Sequence, residues 1–226
     1  METNKLLIGN GILVTRDEKN TFLSDGAVYI EGEKIAAIGK TEELKERYSD
    51  AEYLDAKGML IMPGYLNLHE HIYSAFARGL SIPGEAPKEF LGILEHTWWN
   101  IDRHLLLEQT FYSAMMTYIE SIRNGVTFIN DHHASYAAIP ESLFEIAKAA
   151  ETLGIRTCLA YEISDRDGKK KRDEAIEESM RFLSYVQEKN SPMLKGMIGL
   201  HASFTLSDET LALCRKENTF HAGYHV

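Results

Sequence analysis

Two histidines one residue apart, His69 and His71, close a run that begins with Met59-Leu60-Ile61-Met62 and passes through Pro63-Gly64. On an extended strand, residues i and i+2 point to the same face. The two imidazoles therefore project together, with Glu70 on the other side. Neutral imidazole is a ligand for zinc, iron and related ions, and two of them at the end of a buried strand make half of a metal site. As a bare pattern, His-x-His also occurs on solvated surfaces. Here it follows an apolar run and leads into Tyr73, Ala75, Phe76 and Ala77, which argues against a solvated turn.

Other histidines and acids recur in the same kind of place. Val126 to Asp131 is a short β-favouring run that ends in His132-His133. Ile155 to Ile163 ends near Glu162 and Asp165, Met197 to Leu200 ends in His201, and Thr219 to Val226 carries His221 and His225. Helical patterns lie between these runs. Leu105 to Ile122 has apolar residues at helical spacing. Pro140 to Leu153 has a proline suited to the first turn and Gly154 to stop it. Asp173 to Gln187 is acidic and amphipathic, and Ser207 opens one more helix. Strand–helix alternation with a repeat of about 30–40 residues predicts a parallel sheet. In a (β/α)8 barrel the C-terminal strand ends form the active-site mouth. Histidines or acids fall at or near those ends in all five strands counted from Met59, a regularity that scattered histidines would lack.

The class predicted is α/β. Residues 59–226 read as the N-terminal part of a (β/α)8 TIM barrel, because four strand–helix units and the start of a fifth strand fall short of eight. The chain is therefore expected to be part of a longer protein. A doubly wound open sheet is the structural alternative, but no Gly-rich phosphate loop follows the first strand. Residues 1–58 read as a separate, small β-sandwich module, with strands over 4–15, 26–39 and 51–62. Ile30 to Ile35 forms a hairpin around Gly32, and Thr41 is the expected N-cap of a short helix. Residues 72–102 read as a long irregular stretch carrying Trp98 and Trp99, which either pack the loop or face a substrate. His96 and His104, in or beside it, are not expected to be ligands.

Composition narrows the partners. The 226 residues are 44% hydrophobic and 26% charged, with a formal net charge of −10. An acidic chain without a basic stripe is a poor nucleic-acid binder, and the short run Lys169 to Arg172 reads as a solvated loop. Leu6 to Val14 is interrupted by Gly9-Asn10-Gly11, so it is neither a signal peptide nor a membrane span. Cys158 and Cys214 match no zinc or redox spacing and read as buried thiols of a cytoplasmic protein. The expected partner is a small-molecule substrate, with no nucleic acid and no membrane.

The segment Pro63-Gly64-Tyr65-Leu66-Asn67-Leu68-His69-Glu70-His71, followed by Ala77-Arg78-Gly79-Leu80, resembles the amidohydrolase superfamily. So do Gly125-Val126-Thr127 and Gly199-Leu200-His201. The likeness is to the cytosine deaminase, chlorohydrolase and guanine deaminase branch, and within it to the SsnA-type aminohydrolases. It implies a metal-dependent hydrolase acting on non-peptide C–N bonds: an aminohydrolase or deaminase of a nitrogen heterocycle, purine-like in class. A chlorohydrolase-type leaving group and a non-catalytic fragment are the alternatives. The resemblance implies one divalent metal, zinc with iron as the alternative, held by His69 and His71. It places His201 against the substrate as a catalytic group. No lysine at that strand end is available to bridge two metals. The fifth strand of the family carries His-x-x-Glu, and His225 either is that ligand or stands two residues before it. Arg78, His132 and His133 are candidates for the substrate face, and Glu162 and Tyr161 either join them or brace the barrel rim. The strand-six histidine and strand-eight aspartate of the family are not among these 226 residues. A homodimer is implied, and the 226-residue chain alone is expected to be inactive and poorly stable. A metal with an open position lowers the pKa of its bound water to about 7, which is the chemistry such a site supplies.

Overall fold

The computed structural model describes residues 4–19 and 21–226, which divide into two units, Met1–Gly64 and Tyr65–Val226. In the first, β1 (Lys5–Val14), β2 (Phe22–Glu31), β3 (Lys34–Lys40), β4 (Glu52–Asp55) and β5 (Leu60–Ile61) form one five-stranded sheet. Its order is β3-β2-β1-β4, with β5 also on β1. β1, β2 and β3 are antiparallel neighbours, whereas β4 and β5 run parallel to β1. The hairpin turns at Gly32, whose φ of 62° is the left-handed conformation that glycine adopts without penalty. The run over 51–62 is not one strand. Lys57 and Gly58 take φ values of 51° and 76°, which breaks it into β4 and β5. Thr41 is the first residue of α1 (Thr41–Arg47) rather than its cap. Its hydroxyl donates to Asp25 at 2.5 Å and accepts from the Asn10 N–H at 2.9 Å, so it ties two strands instead of closing a helix end. Leu7, Ala27, Tyr29 and Leu44 form the core of this unit, with Tyr48 stacked on Tyr29 at 3.7 Å.

The second unit holds β6 (Tyr65–Glu70), α2 (Phe90–Ile93), α3 (Trp99–Asp102), α4 (Leu107–Arg123), β7 (Val126–His133) and α5 (Ser142–Leu153). These are followed by β8 (Arg156–Ile163), α6 (Gly168–Lys189), β9 (Leu194–Gly196), β10 (Ile198–Leu200), α7 (Asp208–Glu217) and β11 (Tyr224–His225). Its strands form one curled parallel sheet in the order β11-β10-β8-β7-β6, with β9 on β8. This is a half-barrel, as the strand–helix alternation predicts. Strand and helix residues such as Ile129, Leu159, Ile163, Ile146 and Phe182 bury a continuous core between sheet and helices. Burying each such side chain is worth about 1.5–3 kcal/mol. On β6, Tyr65, Leu66 and Leu68 are instead exposed.

Several boundaries differ from the sequence pattern, each for a local reason. α5 starts at Ser142, after Glu141 in a left-handed conformation (φ 75°). Buried Glu178 of α6 accepts the N–H groups of Glu141 and Leu143, both at 3.0 Å, and so caps α5 from another helix. Gly154 (φ 71°) ends α5 as expected. The basic run Lys169 to Arg172 is not a solvated loop but the first turn of α6. There Lys169 pairs with Glu209, Lys171 pairs with Glu174, and Arg172 is buried against Asp173 and Glu209. The stretch over 72–102 is partly ordered, with a 3-10 turn at Ile72–Ala77 and continuous helical turns from Phe90 to Asp102. The final strand is short, because Asn218 hydrogen-bonds both backbone groups of Ala222 and holds that segment as a turn.

Candidate metal centre and the adjoining cavity

β6 delivers His69 and His71 with their Nε2 atoms 3.1 Å apart. The strand pairs with β7 through a register shift between Asn67 and Glu70, a bulge at the point where the chain turns out of the sheet. Glu70 lies to the other side. Its carboxylate accepts from the Asn67 amide at 2.6 Å and from the His71 N–H at 3.1 Å, which fixes the backbone between the two imidazoles. Nδ1 of His71 lies 3.0 Å from the His132 carbonyl, which can only accept, so that nitrogen carries the hydrogen and Nε2 carries the lone pair. Nδ1 of His69 lies 3.2 Å from Nε2 of His225, and the Asn130 amide lies 3.4 Å from Nδ1 of His225. One assignment fills every contact: Asn130 donates to His225, His225 to His69, His69 to His71 and His71 to the carbonyl. The hydrogen between His69 and His71 occupies the place a cation would take.

The fit of that place to a metal follows from the same distance. Zinc–nitrogen bonds of about 2.0–2.1 Å put adjacent donors of a tetrahedral site about 3.3 Å apart. The observed 3.1 Å is close to that spacing. The second nitrogen of His71 is already engaged by a backbone carbonyl, the outer-sphere contact that fixes the tautomer of a ligating histidine. His225 approaches the opposite nitrogen of His69. Among the described residues no group of three His, Cys, Asp or Glu side chains converges on one point.

The remaining residues singled out in the sequence fall in four places. His132, on β7, is buried beside the pair, with its ring centre 6.0 Å from His71 and 5.3 Å from His225. Burial and the neighbouring imidazoles hold its pKa well below the usual value, so it is neutral. His133 is its neighbour in sequence but lies on the opposite face of the strand. It is packed among Tyr73, Tyr161 and Ser135, and burial pushes its pKa down to about 3. Arg78 is exposed and forms no hydrogen bond or ion pair among the described residues. His201 follows β10, where Gly199 packs against the Tyr161 carbonyl so closely that a Cβ would lie 2.3 Å from its oxygen. Tyr161 braces the rim, its hydroxyl accepting the Ser135 N–H at 3.0 Å. His104 donates to the Asn100 carbonyl, away from this cluster.

His201 stands beside a buried charge network that the sequence pattern does not show. Glu162 Oε2 lies 3.8 Å from His201 Nε2, and Glu162 Oε1 accepts from Arg166 Nε at 3.0 Å. Arg166 also pairs with Asp102 at 2.6 Å, over the ring of Tyr136 at 3.9 Å. Burial raises the Asp102 carboxyl to about 7 against the opposing pull of Arg166. The sequence signal was slight: an arginine four residues after Glu162, on no recognisable motif. Asp102 lies 64 residues away.

His71, His132, Glu162 and His201 form the polar side of a cavity of about 280 Å³. Tyr73, Phe90, Leu94, Trp98, Leu200, Ala202 and Val226 form the rest. Trp98 thus lies on the cavity wall, and Trp99 packs near Arg166 and His201. A larger cleft of about 600 Å³, lined by Phe76, Leu80, Ile82 and Ile101 among others, touches none of the clustered histidines. An aromatic trough that meets a row of imidazoles suits a flat, mostly uncharged ligand placed next to a bound cation.

A family model described as "Amidohydrolase family" matches residues 60–225, and one described as "Imidazolonepropionase-like composite domain, bacteria" matches residues 26–51. A 5-methylthioadenosine/S-adenosylhomocysteine deaminase of Thermococcus sibiricus is 29% identical over 94% of this chain and 46% of its own length. A 5'-deoxyadenosine deaminase of Methanocaldococcus jannaschii is 30% identical over 85% of this chain and 43% of its own. The chain spans about half the length of these curated relatives. Among solved structures, the guanine deaminase of E. coli superposes with a TM-score of 0.72 at 21% identity, covering 98% of this chain and 52% of that one. The atrazine chlorohydrolase of Arthrobacter aurescens, complexed with zinc, gives 0.70 at 22%, covering 91% and 48%. No helix among the described residues is long and apolar enough to cross a membrane.

Proposed function

The chain belongs to the amidohydrolase family, and we propose that its protein is a metal-dependent aminohydrolase that releases ammonia from a purine-like nitrogen heterocycle. The observation that carries this reading is the pair of Nε2 atoms 3.1 Å apart on His69 and His71, set at strand ends beside a cavity lined with aromatic side chains. The names of the curated relatives, deaminases of adenosine-type nucleosides, support the choice of a purine-like substrate.

In this reading His69 and His71 supply two of the donors to one divalent metal, zinc with iron as the alternative. Bound there, such a metal would lower the pKa of a water it holds to about 7 and so make a nucleophile available. The chain's own residues do the rest. The His132 carbonyl keeps His71 in its ligating tautomer. His132 and His201 line the substrate face as neutral polar groups. Tyr73, Leu94 and Trp98 stack on the heterocycle and exclude bulk water. Arg78 and His133 lie outside this arrangement, and His225 acts through His69, as an outer partner to the ligand. A small-molecule substrate, a soluble cytoplasmic setting and a homodimeric assembly complete the proposal.

The test is metal content and ammonia release for the full-length protein, with and without the double change His69→Ala/His71→Ala. About one zinc or iron per chain, lost in the double variant together with ammonia release from amino-purines, is the expected result. A protein that holds no metal would overturn the reading. Release of chloride from a chlorinated triazine without ammonia from any amino-heterocycle would move it to the other leaving group.

A further inference from the structure

The hydrogen-bonding state of His201 is legible from its neighbours. Thr205 Oγ1 lies 2.8 Å from the Ala202 carbonyl oxygen and 2.7 Å from His201 Nδ1. Two oxygens 2.8 Å apart need a hydrogen between them, and a carbonyl has none to give. The Thr205 hydroxyl hydrogen therefore goes to Ala202, and its lone pair receives a hydrogen from His201 Nδ1. The neutral ring then carries no hydrogen on Nε2. Burial lowers the pKa of His201, with Glu162 opposing, which agrees with a neutral ring. The bare Nε2 has no hydrogen-bond partner among the described residues, and Glu162 Oε2, itself an acceptor, lies 3.8 Å away. Arg166, a cation close by, is engaged by Asp102, Asp167 and the other oxygen of Glu162. Two acceptors thus share one corner of the cavity with no protein donor between them among the described residues.

We propose that Thr205 is a positioning residue that fixes His201 as the Nδ1–H tautomer, so that His201 Nε2 and Glu162 Oε2 together select an amidine-type N–H edge on the substrate. The inference rests on the reading that His201 faces the substrate, and it adds the polarity of the edge that docks there. A heterocycle that offers an N–H or amino group at this corner satisfies both acceptors. One that offers only a ring-nitrogen lone pair leaves them facing a third acceptor, the kind of mismatch that a buried polar site rejects strongly.

The experiment is nitrogen NMR of the histidine rings in the 15N-histidine-labelled protein, with His201 assigned by the loss of its signals in His201→Gln. The expected spectrum shows Nδ1 protonated and Nε2 bare, the reverse of the tautomer that predominates in free histidine. Thr205→Ser keeps that pattern, and Thr205→Val loses it to a mixture. Acetamidinium, added as the probe, shifts the Nε2 resonance saturably, whereas acetate does not, and Glu162→Gln weakens the acetamidinium response at least tenfold. A protonated Nε2 in the parent protein overturns the proposal even if Thr205→Val does not fold. An unchanged tautomer in a folded Thr205→Val, or an equal response to acetate, overturns it as well. None of these readouts needs bound metal or turnover, so a failed metal assay and a failed tautomer assignment are told apart.

Discussion

The two ends of the candidate site are built in opposite ways. At one end His69, His71 and His225 meet ring to ring, with His69 exposed and the contacts made between imidazoles. At the other end Asp102, Arg166 and Glu162 are sealed from water, with side-chain exposures of 0%, 3% and 5%, and are bound to one another by charge. The histidine edge is held by the backbone around it and by hydrogen bonds between its rings. The charged end is already complete and cannot change partners without leaving a buried charge alone. In the proposed reading, function falls at the edge with least stability at stake, while the rigid end carries the walls and the orienting groups. Both arrangements draw on strands of the same sheet, but Asp102 comes from α3 and Arg166 from the turn after β8.

That contrast can be broken most directly at its rigid end. Arg166→Met strands Asp102 and Glu162 in the interior. The expected cost is about 3–5 kcal/mol of unfolding free energy in a urea titration, the range for removing one partner of a buried ion pair. His69→Ala, at the exposed end, is expected to cost within about 0.5 kcal/mol in the same titration when both proteins are stripped of metal. Equal losses at the two ends would show that the contrast is not real.

A pH titration sharpens it further. His133 is pushed down to about 3 in the folded chain, against about 6.5 when unfolded. Below 6.5 the unfolded chain binds a proton that the folded one refuses. Stability from this group is complete above pH 6.5 and declines as the pH falls toward 3, with a slope of up to about 1.4 kcal/mol per pH unit. His133→Asn is expected to flatten that part of the stability profile, measured by thermal melts between pH 4 and 7 on the order of one unit apart. An unchanged slope would assign the acid sensitivity elsewhere.

A modest effect is expected from Asn67→Ala. It removes the 2.6 Å contact to Glu70 and the weaker one to the His69 N–H. A loss of about 1 kcal/mol is expected, as for one partly buried hydrogen bond. Zinc affinity measured by competition with a chelator should fall about tenfold, as for a lost outer-sphere contact. A drop in stability with no change in affinity would make Asn67 a purely structural residue.

Much of the framework was legible in the residue order. The periods of the apolar runs gave the strand–helix alternation, and with it the parallel sheet and the row of strand ends. Gly32 marked the hairpin, Gly154 the end of α5 and Ser207 the start of α7, where its side chain accepts the Thr210 N–H. The misread pieces share a cause. Thr41, Lys169 to Arg172 and Glu141 each have local propensities that a distant partner overrode: Asp25 for Thr41, Glu209 for the basic run and Glu178 for Glu141. Nothing within a few residues of any of them announces that partner.

The same division runs through the site. Sequence alone determined that His69 and His71 share a face, because alternation along a strand depends only on neighbouring dihedral angles. It also determined that histidines or acids stand at or near successive strand ends, because strand boundaries follow local pattern. Only the tertiary structure decided that His132 joins the cluster while His133 does not, since the sheet's curl and helix layer assign the two faces. Only it brought Asp102 to Arg166, 64 residues away, because the long crossovers between strands hide such pairings, and only it set the Thr205 hydroxyl on His201 four residues before it. The identity of the histidine pair was local, and most of its surroundings were set by residues far away in the chain.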